Sequence, residues 1–317
     1  MFNQIVLPLD GSSLAECVLP HAVAVARAFE SQVRLVHVLY PPHRANSRRP
    51  VDPLSWQIRK AEAESYLGDL SLRLQNAGLR TEKEILEGDA AELIVEFSHK
   101  NDVPLIMLSS HGRSGLSEWN VSGVVQKIIL RARTSMMIVR AHQPVATEVI
   151  GLRYRRLLLP LDGSQRAECV LPVASTLARA HEAQILLAHV VRRPDMPRRG
   201  PPTRADLELV NGLVQRNRAE AIRYLDQVKS QLAGDIQARV LVSDHVAATL
   251  HGLIEQEQID LVVSSAHGYS ALPLWPYGSV VSSFITYGNT SLLIVQDLPQ
   301  DKSEGTRAEV AAREDGR

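Results

Sequence analysis

The sequence predicts an α/β protein built as two tandem doubly wound domains, each a five-stranded parallel sheet. Three observations predict it. Residues 7–12 and 159–164 both read LPLDGS, and residues 15–20 and 167–172 both read AECVLP, at one shared offset. Short apolar runs alternate with segments of helical spacing in each copy. Those apolar runs are mostly unbroken, as in strands covered on both faces. Two six-residue identities in register mean duplication and fusion of a whole domain, not a stack of short repeats. The expected domains are residues 1–142 and 154–297, joined between Ala141 and Tyr154, where the apolar periodicity lapses around Pro144.

Each element has its own local reason. Ile5–Leu9 is a first buried strand, and Ser12 to Phe29 has helical spacing with Ser12 or Ser13 as N-cap. Val33–Leu39 is the second strand, and a Pro- and Arg-rich loop follows it over residues 41–53. Leu54–Asn76 reads as a long helix stopped at Gly78. Thr81–Leu86 alternates and reads as an edge strand, and Asp89 opens a helix to Lys100. Pro104–Ser109 is the fourth strand, Val121–Ala132 a helix and Ser135–Val139 the fifth strand. The second half repeats the order, with strands at 156–161, 184–191, 236–242, 260–264 and 291–296. Such alternation implies parallel strands with right-handed crossovers. The last strand of each half offers an edge. Fusion predicts that the two edges meet within one chain as a pseudo-twofold pair, with exchange between two chains, a homodimer, as the alternative.

Composition narrows the function classes. Over 317 residues, Lys plus Arg and Asp plus Glu both total 35, so nothing pulls the chain toward nucleic acid or an anionic membrane. Two cysteines make no disulfide scaffold and fit a reducing compartment. No charged and apolar leader precedes the first strand, and no apolar stretch reaches the length of a membrane span. A cytoplasmic protein is expected. The charged residues 298–317 are expected to form a disordered tail.

Ligands of such sheets lie beyond the carboxyl ends of the strands, where strand order reverses, so the loops after strands one and four carry the functional expectation. The first strand ends Pro8-Leu9-Asp10-Gly11-Ser12 and its copy Pro160-Leu161-Asp162-Gly163-Ser164. Asp10 and Asp162 are placed to accept hydrogen bonds from an adenosine, or simply to cap the next helix. The fourth strand leads into Ser109-Ser110-His111-Gly112 in one half and Ser265-Ala266-His267-Gly268 in the other. Nine residues later come Ser122-Gly123 and Gly278-Ser279, each opening a helix. Small residues let backbone N–H groups approach phosphate oxygens, and a helix start adds its dipole. A plain turn between strand and helix is the alternative reading.

These motifs resemble the universal stress protein family, over roughly residues 1–140 and 154–297. The resemblance implies an adenine nucleotide alpha hydrolase-like fold that pairs through its last strand, and an ATP site, with or without Mg2+. The family's Gly-x2-Gly-x9-Gly-Ser/Thr pattern is kept in half two at Gly268, Gly278 and Ser279, with Ser265 in place of the first glycine. In half one Gly112 matches, Ser109 replaces the first glycine, and the final pair is inverted as Ser122-Gly123. The family's adenine-side residues fall on Pro8, Asp10 and Val38 in half one and on Pro160, Asp162 and Val190 in half two. Half two is therefore the expected ATP site of a stress-response regulator. The alternative is an interaction module of the same fold with no nucleotide.

No residue set activates water or a nucleophile, so the chain is expected not to be an enzyme, any ATP hydrolysis being slow or incidental. Walker, Rossmann and hydrolase-elbow signatures are absent from the sequence. His111 and His267 lack metal-ligand spacing and read as hydrogen-bonding residues, with His267 also beside the expected phosphates. Cys17 and Cys169 read as small core residues. The arginines of the loops 41–50 and 192–204 stand on the ligand side of the sheet, either solvated or closing over phosphates.

Overall fold

A computed structural model describes residues 1–40, 53–113, 115, 121–141, 148–194, 203–269 and 276–297. The two basic loops (41–52 and 195–202), parts of both nine-residue loops, linker residues 142–147 and the tail 298–317 lie outside the described residues. Half one runs β1 (Gln4–Pro8), α1 (Ser13–Glu16), α2 (Val18–Phe29), β2 (Gln32–Leu39), α3 (Pro53–Asn76), β3 (Arg80–Glu87), α4 (Ala90–Lys100), β4 (Leu105–Ser109), α5 (Gly123–Arg131) and β5 (Ser135–Val139). Half two repeats this as β6 (Arg156–Pro160), α6 (Gln165–Glu168), α7 (Leu171–His181), β7 (Gln184–Val191), α8 (Arg204–Gln231), β8 (Ile236–Val242), α9 (Val246–Gln256), β9 (Leu261–Ser265), α10 (Ser279–Tyr287) and β10 (Ser291–Val295).

The first helix of each half is not the continuous helix that its spacing predicts. It breaks at Cys17 and at Cys169-Val170, so that α1 ends at Glu16 and α6 at Glu168. Pro20 and Pro172 explain the break. Each stands four residues after the last residue of the short helix, lacks an N–H to bond that residue's carbonyl, and crowds it with its ring. Other boundaries follow their local chemistry. Asp89 caps α4 by accepting from the N–H groups of Ala91 and Glu92. Gly78 ends the α3 turn at φ +84°, where a side chain is disfavoured.

Strand order in the single ten-stranded sheet is β3-β2-β1-β4-β5-β10-β9-β6-β7-β8. Every pair within a half is parallel. The two halves join through β5 and β10, which run antiparallel with Leu293 opposite Met137, so the sheet as a whole is mixed. The last strands thus meet inside one chain, and the free edges are β3 and β8. Period-two alternation divides the core. Leu7, Leu35, Met107 and Met137 pack with α2 and α3 on one face, while Ile106, Leu108, Met136 and Ile138 pack with α4 and α5 on the other. Half two contributes to the same two layers. In each half the order reverses between β1 and β4, or β6 and β9, which opens a crevice at their carboxyl ends.

Candidate nucleotide site

At the end of β1, one oxygen of Asp10 (Oδ1) accepts from the N–H of Ser12 at 2.9 Å and from its hydroxyl at 2.6 Å. The Ser12 hydroxyl in turn accepts from Ala15 N–H at 3.1 Å and caps α1. So the serine is the cap and the aspartate holds it. Gly11, at φ +83°, makes the turn that lets this happen. The second oxygen, Oδ2, accepts from Arg113 N–H at 2.5 Å, and the Arg113 guanidinium donates to the Asp10 carbonyl at 2.7 Å. One carboxylate therefore ties the turn after β1 to the loop after β4. Half two repeats the arrangement. Asp162 accepts from Ser164 N–H at 3.0 Å and its hydroxyl at 2.6 Å, and from Tyr269 N–H at 2.6 Å.

The serines that stand at the first motif glycine are used internally. Ser109 Oγ donates to the Leu14 carbonyl at 2.8 Å and accepts from Cys17 Sγ at 3.3 Å. Ser265 Oγ donates to the His267 carbonyl at 2.7 Å. Neither serine has the left-handed backbone that would demand glycine. The two histidines are buried and differ in partner. His111 Nδ1 pairs with Ser110 Oγ at 3.0 Å, and Ser110 Oγ also accepts from Ala141 N–H. In half two Ala266 and Asp297 stand at those places, and His267 Nδ1 bonds Asp297 Oδ1 at 2.8 Å with both side chains almost fully buried.

The final motif pairs are in register despite their inverted order. Ser122 N–H donates to the Ser110 carbonyl and Gly278 N–H to the Ala266 carbonyl, both at 2.8 Å. Ser122 and Gly278 are thus the equivalent N-caps, and Gly123 and Ser279 the first helical residues. Ser122 Oγ accepts from Val125 N–H, whereas α10 has no side-chain cap.

A cavity of about 790 Å3 opens at this crevice in half one. The half-one residues singled out from the sequence, Pro8, Asp10, Val38, Ser109, Gly112 and the Ser122-Gly123 pair, all line it. The half-two set occupies the corresponding positions around the Asp162–Tyr269 bond, with Pro160 ending β6 and Val190 on β7. Side chains that the motifs do not signal complete the half-one cavity: Tyr40 just after β2, Arg59, Glu62 and Tyr66 of α3, Arg113, and Lys127 of α5. Arg59 lies over the Trp56 ring at 5.5 Å and donates to the Tyr40 carbonyl. Burial lowers the pKa of His37, against the opposing effect of its bond to the Leu9 carbonyl. Burial, with the charges of Glu16 and Asp10, raises that of the Tyr66 phenol. His37 is therefore neutral and Tyr66 protonated near pH 7.

Both cysteines are half-buried, and burial raises their pKa values. That of Cys169 reaches about 12, the charge of Asp297 adding to the burial effect. Neither is a thiolate nucleophile near neutral pH. Among the described residues there is no metal-binding group of three His, Cys, Asp or Glu side chains, and no helix is long and apolar enough to cross a membrane.

Comparison with known proteins follows the duplication. A universal stress protein of Methanocaldococcus jannaschii is 26% identical over 141 residues, 44% of this chain and 83% of that protein. The structure of a functionally unknown protein from Pseudomonas aeruginosa aligns over 93% of both chains with a TM-score of 0.68 at 12% identity. That of a universal stress protein from Archaeoglobus fulgidus aligns over 94% of this chain and 100% of its own, with a TM-score of 0.63 at 15% identity. At these identities the structural likeness shows the fold. The model of the universal stress protein family matches residues 1–140 and again 153–296, so the chain belongs to that family and carries two of its domains in tandem.

Proposed function

We propose that this protein is an adenine-nucleotide-binding regulator of a stress response, and that ATP occupies the half-one cavity. The observation that carries the reading is the cavity of about 790 Å3 at the β1–β4 crossover, a size suited to a small-molecule ligand. Pro8 and Val38 offer an apolar wall for adenosine. Gly123, where an added Cβ would meet nothing within 4 Å, leaves the start of α5 open for phosphates. A magnesium ion would be held through those phosphates. The glycine pattern is better kept in half two, but the cations that line the half-one cavity favour half one for a polyphosphate. With no activated nucleophile or base in the set, we read any ATP hydrolysis as incidental.

A second reading, an interaction module without nucleotide, is favoured by one observation. Both carboxylate oxygens of Asp10 and of Asp162 are spent on internal bonds, so part of the motif is accounted for with no ligand. Extraction of the purified full-length chain, with mass identification of bound nucleotide, and calorimetry with ATP separate the two. Bound adenine nucleotide, or heat with ATP that Gly123→Val removes and Gly278→Val does not, supports our reading. Loss from Gly278→Val alone moves the site to half two. Empty protein that gives no heat leaves the interaction module.

A further inference from the structure

The two crevices share a scaffold, but the cations that line the half-one cavity are not repeated at the equivalent positions of half two. Registering α5 on α10 through the Ser122 and Gly278 caps makes Arg113 equivalent to Tyr269 and Lys127 to Ser283. Registering α3 on α8 through Tyr66 and Tyr224, whose rings stand edge-on to His37 and His189, makes Arg59 equivalent to Asn217. All three cations that line the half-one cavity are therefore neutral residues in half two, while Glu62 keeps its carboxylate as Glu220. At one further lining position the exchange runs the other way, Tyr40 to Arg192. Lys127 takes part in no ion pair among the described residues, and Arg113 engages a backbone carbonyl that water can serve as well. Cations so placed attract an anion at the cavity mouth.

From this asymmetry we infer that the half-one cavity selects its ligand by the length of its phosphate tail, with Arg113, Lys127 and Arg59 as the selecting residues. This rests on the nucleotide reading above and adds its specificity. Arg113 leaves the Asp10 carbonyl for a phosphate oxygen, while its backbone N–H stays on the Asp10 carboxylate. The guanidinium of Arg59 and the ammonium of Lys127 face the same charge from α3 and α5.

Calorimetry on the full chain with adenosine, AMP and ATP tests it, in the wild type and in Lys127→Gln and Arg113→Gln. The expected result is ATP binding more than tenfold tighter than adenosine, with AMP between. In each variant the ratio of ATP to adenosine affinity falls about tenfold, the size of one charge-assisted hydrogen bond. Equal affinity for adenosine and ATP, or a ratio that neither variant changes, overturns this inference and leaves the nucleotide reading standing. Failure of all three compounds to bind the wild type overturns both.

Discussion

The carboxylate of Asp10 occupies the space that a side chain on Gly112 would need: a Cβ built there falls well inside contact distance of Asp10 Oδ2. Asp162 and Gly268 repeat the relationship in half two. Neither glycine has the left-handed backbone that glycine alone tolerates, so the requirement is for side-chain space. The first strand's aspartate and the second motif glycine are one device that pins the β4 loop to the β1 turn.

Gly112→Ala is therefore expected to destabilise half one by about 1–3 kcal/mol, an overpacking cost. The double variant with Asp10→Ala should cost less than the sum of the two, with a coupling of at least about 1 kcal/mol. Chemical denaturation of the three variants checks this, and strict additivity would refute the steric account. One corollary concerns binding assays: loss of ligand in Gly112→Val or Gly268→Val reports a displaced aspartate as readily as a lost phosphate contact.

Among the motif glycines, Gly123 and Gly278 are the ones that the protein itself does not force. A Cβ on Gly123 meets nothing within 4 Å, and one on Gly278 meets only ordinary contacts from 3.7 Å outward. Gly123→Ala should raise stability by a few tenths to about 1 kcal/mol, since alanine is the better helix former. Gly278→Ala, at an N-cap, should lower it by about 0.5–1 kcal/mol. Thermal melts check the stability, and ATP calorimetry on the same samples reads the site without a folding artefact. A Gly123→Ala protein that is stabilised yet binds ATP as the wild type does would show that this glycine is not kept for a ligand.

Much of this fold is legible locally. The duplicated LPLDGS carries a strand, a turn and a capping serine in six residues, and both copies form them. The break of the first helix was legible too, because Pro20 and Pro172 announce it, although apolar spacing alone runs straight through them. The site is less legible because its decisive contacts are long-range. Nothing near Asp10 in sequence signals that residue 113 will share its carboxylate. Arg59 and Lys127 reach the cavity from separate helices. The change of histidine partner leaves one trace: Ser110 and Ala141 in half one stand where half two has Ala266 and Asp297. That exchange is visible only when the halves are aligned as pairs of positions and not as strings.

The halves are held together by more than strand pairing. Arg140, just after β5 and buried, donates through Nη2 to the carbonyls of Phe284 at 2.6 Å and Ile285 at 3.1 Å, at the negative end of α10. Gly288 makes room for it, since a Cβ there would crowd the Phe284 carbonyl and Arg140 Nη2. Burial brings the guanidinium down to about 10, so it remains charged near neutral pH. Arg140→Met should destabilise the chain by about 1–3 kcal/mol, because two charge-assisted hydrogen bonds to the helix end are lost, although the Phe284 carbonyl keeps the Gly288 N–H. The loss should appear as earlier exchange of the α10 and β10 amides in hydrogen-exchange mass spectrometry. Unchanged protection there would mean that Arg140 adds nothing to the β5–β10 pairing at this end of the seam.

Across the opposite face, α2 packs on α7 and half-buries His21, whose Nδ1 lies 2.7 Å from the Tyr154 hydroxyl, while the Tyr154 ring stands edge-on to His181. Burial lowers the His21 pKa from 6.5 to about 4, and burial lowers that of His181 in the same direction. The sign follows from linkage. Below pH 6.5 the unfolded chain takes up a proton at His21 that the folded chain refuses until about pH 4, so stability is full above that window and is lost as pH falls through it. From His21 alone the loss reaches about 3 kcal/mol at the acid end. His21→Gln, which keeps a polar partner for Tyr154 but does not titrate, should flatten the fall in melting temperature between pH 6.5 and 4. The other lowered histidines, His37, His189 and His251, retain their share of the acid sensitivity. A variant whose melting temperature falls with pH as steeply as the wild type's would mean that His21 keeps an ordinary pKa in the folded interface and that other groups carry the acid sensitivity.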